Sequence, residues 1–164
     1  MADLAPKERL QPSLLDRLTD DEPDQRKENA GQRFLNLQRL RIILQRDLSW
    51  LLNTCHLAAT EDLSEYPEVA TSVLNYGIPD LAGQSLSGVD VDSLERLVKQ
   101  AVVAFEPRIL RSSVRVDAIV DSGHMSHNAL TLQIAGDLWA QPVPVDVVLR
   151  TEFDLESGLV SVRE

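Results

Sequence analysis

Ser113-Val114-Arg115-Val116-Asp117-Ala118-Ile119-Val120 is the stretch on which the fold class turns. Its apolar members Val114, Val116, Ala118 and Val120 alternate with more polar neighbours, the period of a half-buried strand. Leu130, Leu132 and Ile134 repeat that alternation, and Val145, Val147, Leu149, Thr151, Phe153 and Leu155 repeat it again. Asp121 to Asn128 reads as the first connection. Glu156-Ser157-Gly158 reads as a tight turn into a last short strand, Leu159 to Val162.

Upstream of that stretch the period is helical. From about Gln32 to Thr54, Leu37, Leu40, Leu44, Leu48, Leu51 and Leu52 recur at three- and four-residue steps and form one apolar stripe. Arg33, Arg39, Arg41 and Arg46 are interleaved with it, a basic helix suited either to an acidic partner or to the chain's own carboxylates. A second helix is predicted over Val91–Phe105, capped by Asp90 or Asp92, with Leu94, Leu97, Val98, Ala101, Val102 and Phe105 on its apolar side. Pro107 stops it, because proline disfavours the α conformation in the residue before it. Between the helices, residues 55–89 read as a structured connector with turns at Tyr66-Pro67, Gly77-Ile78-Pro79-Asp80 and Gly83. Helices first and consecutive strands after predict an α+β fold, with N-terminal helices packed on one face of a C-terminal, mainly antiparallel sheet.

Residues 1–32 are polar and proline-punctuated, and are expected to form a tail ahead of a single α+β domain over 33–164. Within the tail, Ser13 caps a short amphipathic turn whose Leu14, Leu15 and Leu18 share a face. So short a helix needs a surface to pack on, either the chain's own or a neighbour's.

The net charge of −10 argues against a nucleic-acid partner, whose phosphates demand cations. The single cysteine, Cys55, excludes an intrachain disulfide and fits a reducing compartment. Without a signal-like start or a long apolar run, a cytoplasmic protein without membrane insertion is expected.

Candidate chemistry is sparse. Phe105-Glu106-Pro107-Arg108 places a carboxylate and a planar guanidinium two residues apart across a proline, able to form a fork with each other or with a group on another chain. Composition alone favours an incidental surface pair at a helix end. Glu106 has no second carboxylate selected by any motif, as glycosidase chemistry requires. His124 and His127 lack the further ligands of a metal site. Cys55-His56 lacks a third group, and a buried free thiol is the expected state. No phosphate-cradling glycine motif occurs. No catalytic residue, cofactor or metal is expected.

Four blocks occur in order: Ser13-Leu14-Leu15-Asp16-Arg17-Leu18, Arg46 to Thr54, Ser72 to Asp80, and Phe105-Glu106-Pro107-Arg108. Together they resemble the TssE family, the type VI secretion counterpart of the small wedge protein in contractile phage-tail baseplates. The resemblance implies a structural subunit and not an enzyme, although the family has carried a lysozyme-like label. It implies TssF, TssG and TssK as baseplate partners, and a role in starting the TssB/TssC sheath. It assigns assembly contacts to Glu106, Pro107 and Arg108, and leaves Leu14, Leu15 and Leu18 as a candidate anchor. It also implies a strand-accepting sheet edge near residues 143–163. A phage wedge protein, an anti-adaptor-type regulator and a peptidoglycan hydrolase are the alternatives.

Overall fold

The computed structural model describes residues 13–19, 37–83, 88–119, 129–139 and 144–163. The Asp121–Asn128 connection with His124 and His127, the proposed helix start at Gln32 with Arg33, and most of the tail lie outside them.

The helices are α1 (Leu14–Leu18), α2 (Leu37–Leu52), the single turn α3 (Pro67–Ala70) and α4 (Val91–Phe105). They are followed by β1 (Arg115–Ile119), β2 (Ala129–Leu138), β3 (Val145–Asp154) and β4 (Val160–Arg163). The strands pair in chain order β1-β2-β3-β4, antiparallel throughout. The chain is therefore α+β, as its two periodicities predict.

Each long element forms where the local chemistry supports it. Asp90 caps α4, its side chain accepting from the Ser93 amide at 3.4 Å. At the other end Glu106 is the C-cap, its N–H reaching the Val102 carbonyl at 2.9 Å, and Pro107 allows no further turn. On α2, Leu40, Ile43, Leu44, Leu48, Leu51 and Leu52 are buried, while Leu37 at its start is 42% exposed. The α4 stripe departs from expectation at Leu97, which lies at the margin of the buried face and is partly exposed.

One face of the sheet meets both helices. Val116, Leu132, Ile134, Leu149 and Phe153 are buried against Leu44, Leu48, Val98 and Val102. The strand residues between them, such as Arg115, Asp117, Arg150 and Glu152, are exposed on the opposite face. α2 lies beside β4 and α4 beside β1, so each helix covers one edge of the sheet.

The connector is fastened to the end of α2. The Ile78 amide donates to the Thr54 carbonyl at 2.9 Å, and the His56 amide to the Ile78 carbonyl at 3.2 Å. Gly77 permits this approach: its φ is +119°, and a Cβ there would stand 2.1 Å from the Thr54 carbonyl oxygen. Cys55 lies in this bridge and is exposed, contrary to the expectation of a buried thiol. Its side of the bridge lies at the surface, whereas Ile78 opposite is buried.

Candidate functional site

Glu106-Pro107-Arg108 does not form an incidental surface pair. Glu106 is 3% exposed. Arg108 donates from Nε to Glu106 Oε1 at 2.6 Å and from Nη2 to Glu106 Oε2 at 2.5 Å, a two-pronged grip on one carboxylate. The Arg108 amide adds a third bond to Oε1 at 3.1 Å. The backbone is held as well: the Trp139 amide donates to the Arg108 carbonyl at 2.7 Å, and the Leu110 amide to the Asp137 carbonyl at 2.9 Å. Arg108–Leu110 thus runs as a short antiparallel extension beside the end of β2.

The guanidinium reaches across to α2, where Nη2 also donates to Asp47 Oδ2 at 2.6 Å. Asp47 Oδ1 accepts from Arg46 Nε and Nη2 at 2.8 and 2.7 Å. Arg46 Nη1 in turn grips Asp16 Oδ1 of α1 at 2.8 Å. A continuous chain of alternating charge therefore runs Asp16–Arg46–Asp47–Arg108–Glu106, joining α1, α2 and the end of α4. Burial works against the charge on Arg108, but the carboxylates of Glu106 and Asp47 outweigh it and raise its pKa. Burial likewise pushes the Asp16 carboxyl up, yet the Ser13 hydroxyl and the Arg46 guanidinium outweigh it and leave it below the usual carboxylate range.

Apolar groups wall this knot. Tyr76, from the connector, meets Phe105 edge-on with ring centres 5.1 Å apart. Its hydroxyl approaches the Asp47 carbonyl at 3.4 Å, and its pKa is raised chiefly by burial and then by the Asp47 and Glu106 carboxylates. Arg46 also stacks over the Trp50 ring at 4.8 Å. The resulting hollow, about 230 Å³, is lined by residues of all four blocks: Ser13 and Leu15, then Arg46, Asp47, Leu48, Trp50 and Leu51, then Tyr76, then Phe105, Glu106 and Arg108.

The α1 turn folds back onto the chain through Asp16, not through its leucines. Leu14, Leu15 and Leu18 are 70%, 48% and 75% exposed. Among the charged partners, Asp47 escapes sequence reading, although it is the only acid on α2 and follows Arg46 directly. Arg46 turns out to serve the chain's own carboxylates.

The proposed strand-accepting region is also defined. β1 and β4 are the sheet edges. The Asp154 amide donates to Leu159 at 2.9 Å, so by antiparallel alternation Val160 and Val162 turn their backbone groups away from β3. Side chains meet them there. Asn53 Nδ2 donates to the Val160 carbonyl at 2.8 Å, and Asn53 Oδ1 accepts the Val160 amide at 2.9 Å. Gln45 Nε2 donates to the Val162 carbonyl at 2.6 Å. On the other edge Glu95 Oε1 accepts the Ala118 amide at 2.6 Å.

Among the described residues no group of three or more His, Cys, Asp or Glu side chains could hold a metal ion, and no helix is long and apolar enough to cross a membrane. No curated protein and no solved structure matches the chain. Residues 38–143, more than half of it, match the family described as baseplate wedge protein gp25. The match spans α2, the connector, α4, Glu106–Arg108, β1 and β2, and leaves α1, β3 and β4 outside. That family is structural and works in contact with other baseplate components. On this match, and with the charged knot lying almost wholly inside it, the chain belongs to the baseplate wedge protein gp25 family.

Proposed function

We propose that this chain is the TssE-type wedge subunit of a bacterial type VI secretion system. It acts as a cytoplasmic, non-enzymatic adaptor between the baseplate subunits TssF, TssG and TssK and the first ring of TssB/TssC sheath. The observation that carries this reading is the convergence of the four blocks on one knot. The Ser13–Leu18 block, which together with the Arg46–Thr54 block favours the secretion branch over phage relatives in the resemblance, reaches the knot through the Asp16–Arg46 pair. The residues that touch each other are those by which the chain resembles TssE.

In this reading the knot is a rigid platform. Arg108 and Glu106 satisfy each other, leaving exposed Pro107 and the outward leucines of α1 to meet a neighbour. Leu14 and Leu18 already stand in water, so burying them against another subunit gains apolar contact without unfolding anything. The tail over residues 1–32 then serves as an anchor ahead of the domain over 33–164.

Affinity purification of the tagged chain from cells encoding a type VI system tests this. Recovery of TssF and TssG is the expected result, and recovery of phage tail proteins alone would move the chain to the phage branch. The double change Leu14→Ser with Leu18→Ser is expected to reduce that recovery severalfold while thermal stability stays unchanged. Undiminished recovery removes α1 from the contact surface.

A further inference from the structure

The connector between α2 and α4 presents an apolar patch separate from the leucines of α1. Val73 and Leu74 are 79% and 67% exposed, and Tyr66 is 58% exposed. The first two lie on the 3-10 turn Val73–Asn75, and Tyr66 is the N-cap of α3, which packs on that turn. Other residues of the Ser72–Asp80 block have internal work. Asn75 bonds within the connector, Tyr76 walls the knot and Ile78 enters the core. Val73 and Leu74 stay in water.

Their exposure is not that of a frayed loop. Asn75 ties the turn on both sides, its Oδ1 accepting the Ala58 amide and its Nδ2 donating to the Ala70 carbonyl, each at 2.9 Å. The Ser72 hydroxyl accepts the Leu74 amide at 3.2 Å and donates to the Val69 carbonyl at 3.0 Å. Two branched side chains are thus held outward on a braced turn. Covering them gains apolar burial at little cost in ordering.

The backbone here offers nothing to an extended chain. The Ser72, Asn75 and Tyr76 amides donate to the Val69, Ser72 and Val73 carbonyls, and the Leu74 amide to the Ser72 side chain. An occupant that binds through side chains alone must satisfy its own backbone, as a helix does. The surrounding charge has one sign. From Asp47 to Glu95 the chain carries no lysine or arginine, whereas Glu61, Asp62, Glu65 and Glu68 stand exposed before α3 and on its first turn. Among the described residues none of these four carboxylates is in an ion pair.

We propose that Tyr66, Val73 and Leu74 form a docking site for a basic amphipathic helix of another protein. Apolar side chains one turn apart on that helix cover the patch. Lysine or arginine side chains flanking them face Glu61, Asp62, Glu65 and Glu68. Apolar burial supplies most of the affinity, and the opposite charges orient the helix and speed its encounter. The contact uses neither the charged knot nor α1, so it is a surface additional to the one assigned to α1.

Binding of fluorescent synthetic helices to the full chain tests it. The probe is a leucine–lysine peptide of about 18 residues, long enough to hold an amphipathic helix, and its control carries glutamate for every lysine. The lysine peptide is expected to bind, less tightly as salt rises, and the glutamate peptide about tenfold more weakly or worse. Val73→Ser with Leu74→Ser should weaken the lysine peptide about tenfold or more, the scale of losing two aliphatic contacts, at an unchanged thermal midpoint. Leu74→Lys, a single exposed change that sets like charges together, should weaken it as well and serves should the double variant unfold. Leu14→Ser with Leu18→Ser should leave binding as it is; loss there moves the site to α1 and overturns this one. Absence of binding to the parent chain overturns the proposal. So does binding indifferent to Val73 and Leu74, which would be adhesion to an acidic chain at large. Equal binding of the glutamate peptide overturns the basic partner. A dimer of the chain alone that Val73→Ser with Leu74→Ser dissociates would make a second copy the occupant in place of a foreign helix.

Discussion

Asp47 and Gln45 are near neighbours on α2, yet they hold distant parts of the chain in opposite ways. Asp47 enters a chain of charges that ends on a carboxylate buried to 3% exposure. Gln45 offers one neutral bond to a strand edge at the surface. Breaking the first strands a charge in a low-dielectric interior, where the penalty is several kcal/mol. Breaking the second exposes groups that water or another backbone can satisfy. The difference separates a buried network of charges from a partly exposed edge whose lost bonds water can replace.

The largest expected effect comes from removing Arg108. Arg108→Ala leaves the Glu106 carboxyl buried and without its guanidinium, and should lower unfolding stability by about 3–5 kcal/mol in urea titration. This departs from the surface-pair expectation, under which the change is nearly silent. The double variant Glu106→Leu with Arg108→Leu should lose less than the single one, because no unpaired charge remains. A double variant as unstable as Arg108→Ala would show that packing, and not the orphaned carboxylate, sets the cost.

Asn53→Ala comes next. It removes two bonds to Val160 at a partly exposed edge, so a loss of about 1–2 kcal/mol is expected in the same titration. A loss as large as that of Arg108→Ala would erase the contrast between platform and edge.

The smallest effect concerns α1. The Asp16 carboxyl lies below its ordinary pKa, so its contribution is fully present above the unfolded value, about 3.9. It is lost as pH falls through the lower, folded value. The α1 turn should therefore leave Arg46 only once the pH has fallen below the unfolded value of about 3.9 and through the lower folded one. Trp50, stacked on Arg46, reports this by its emission in a Trp139→Phe background. Asp16→Asn should show the released signal at neutral pH, with global stability changed by about 1 kcal/mol, because the Arg46 side of the pair is still 33% exposed. A pH-independent Trp50 signal would mean that α1 is held by something other than Asp16.

The sequence by itself determined the elements. The α4 limits follow from Asp90 at one end and Pro107 at the other, and the alternation from Val114 onward marks strands whose alternate residues are buried. These features are local: a side chain's spacing along its own helix or strand fixes which face it occupies. Resemblance of the four blocks, carried by residue identity, pointed to the wedge family that the match over residues 38–143 then showed. Tertiary structure alone decided that those blocks touch. It buried Glu106, turned Leu14 and Leu18 to water, left Cys55 exposed, and placed Asn53 against Val160. Periodicity records whether a position faces inward but not which distant group it meets there. The bonds from Asp47 to Arg108 and from Asn53 to Val160 exist only once the sheet has brought the ends of the chain beside α2.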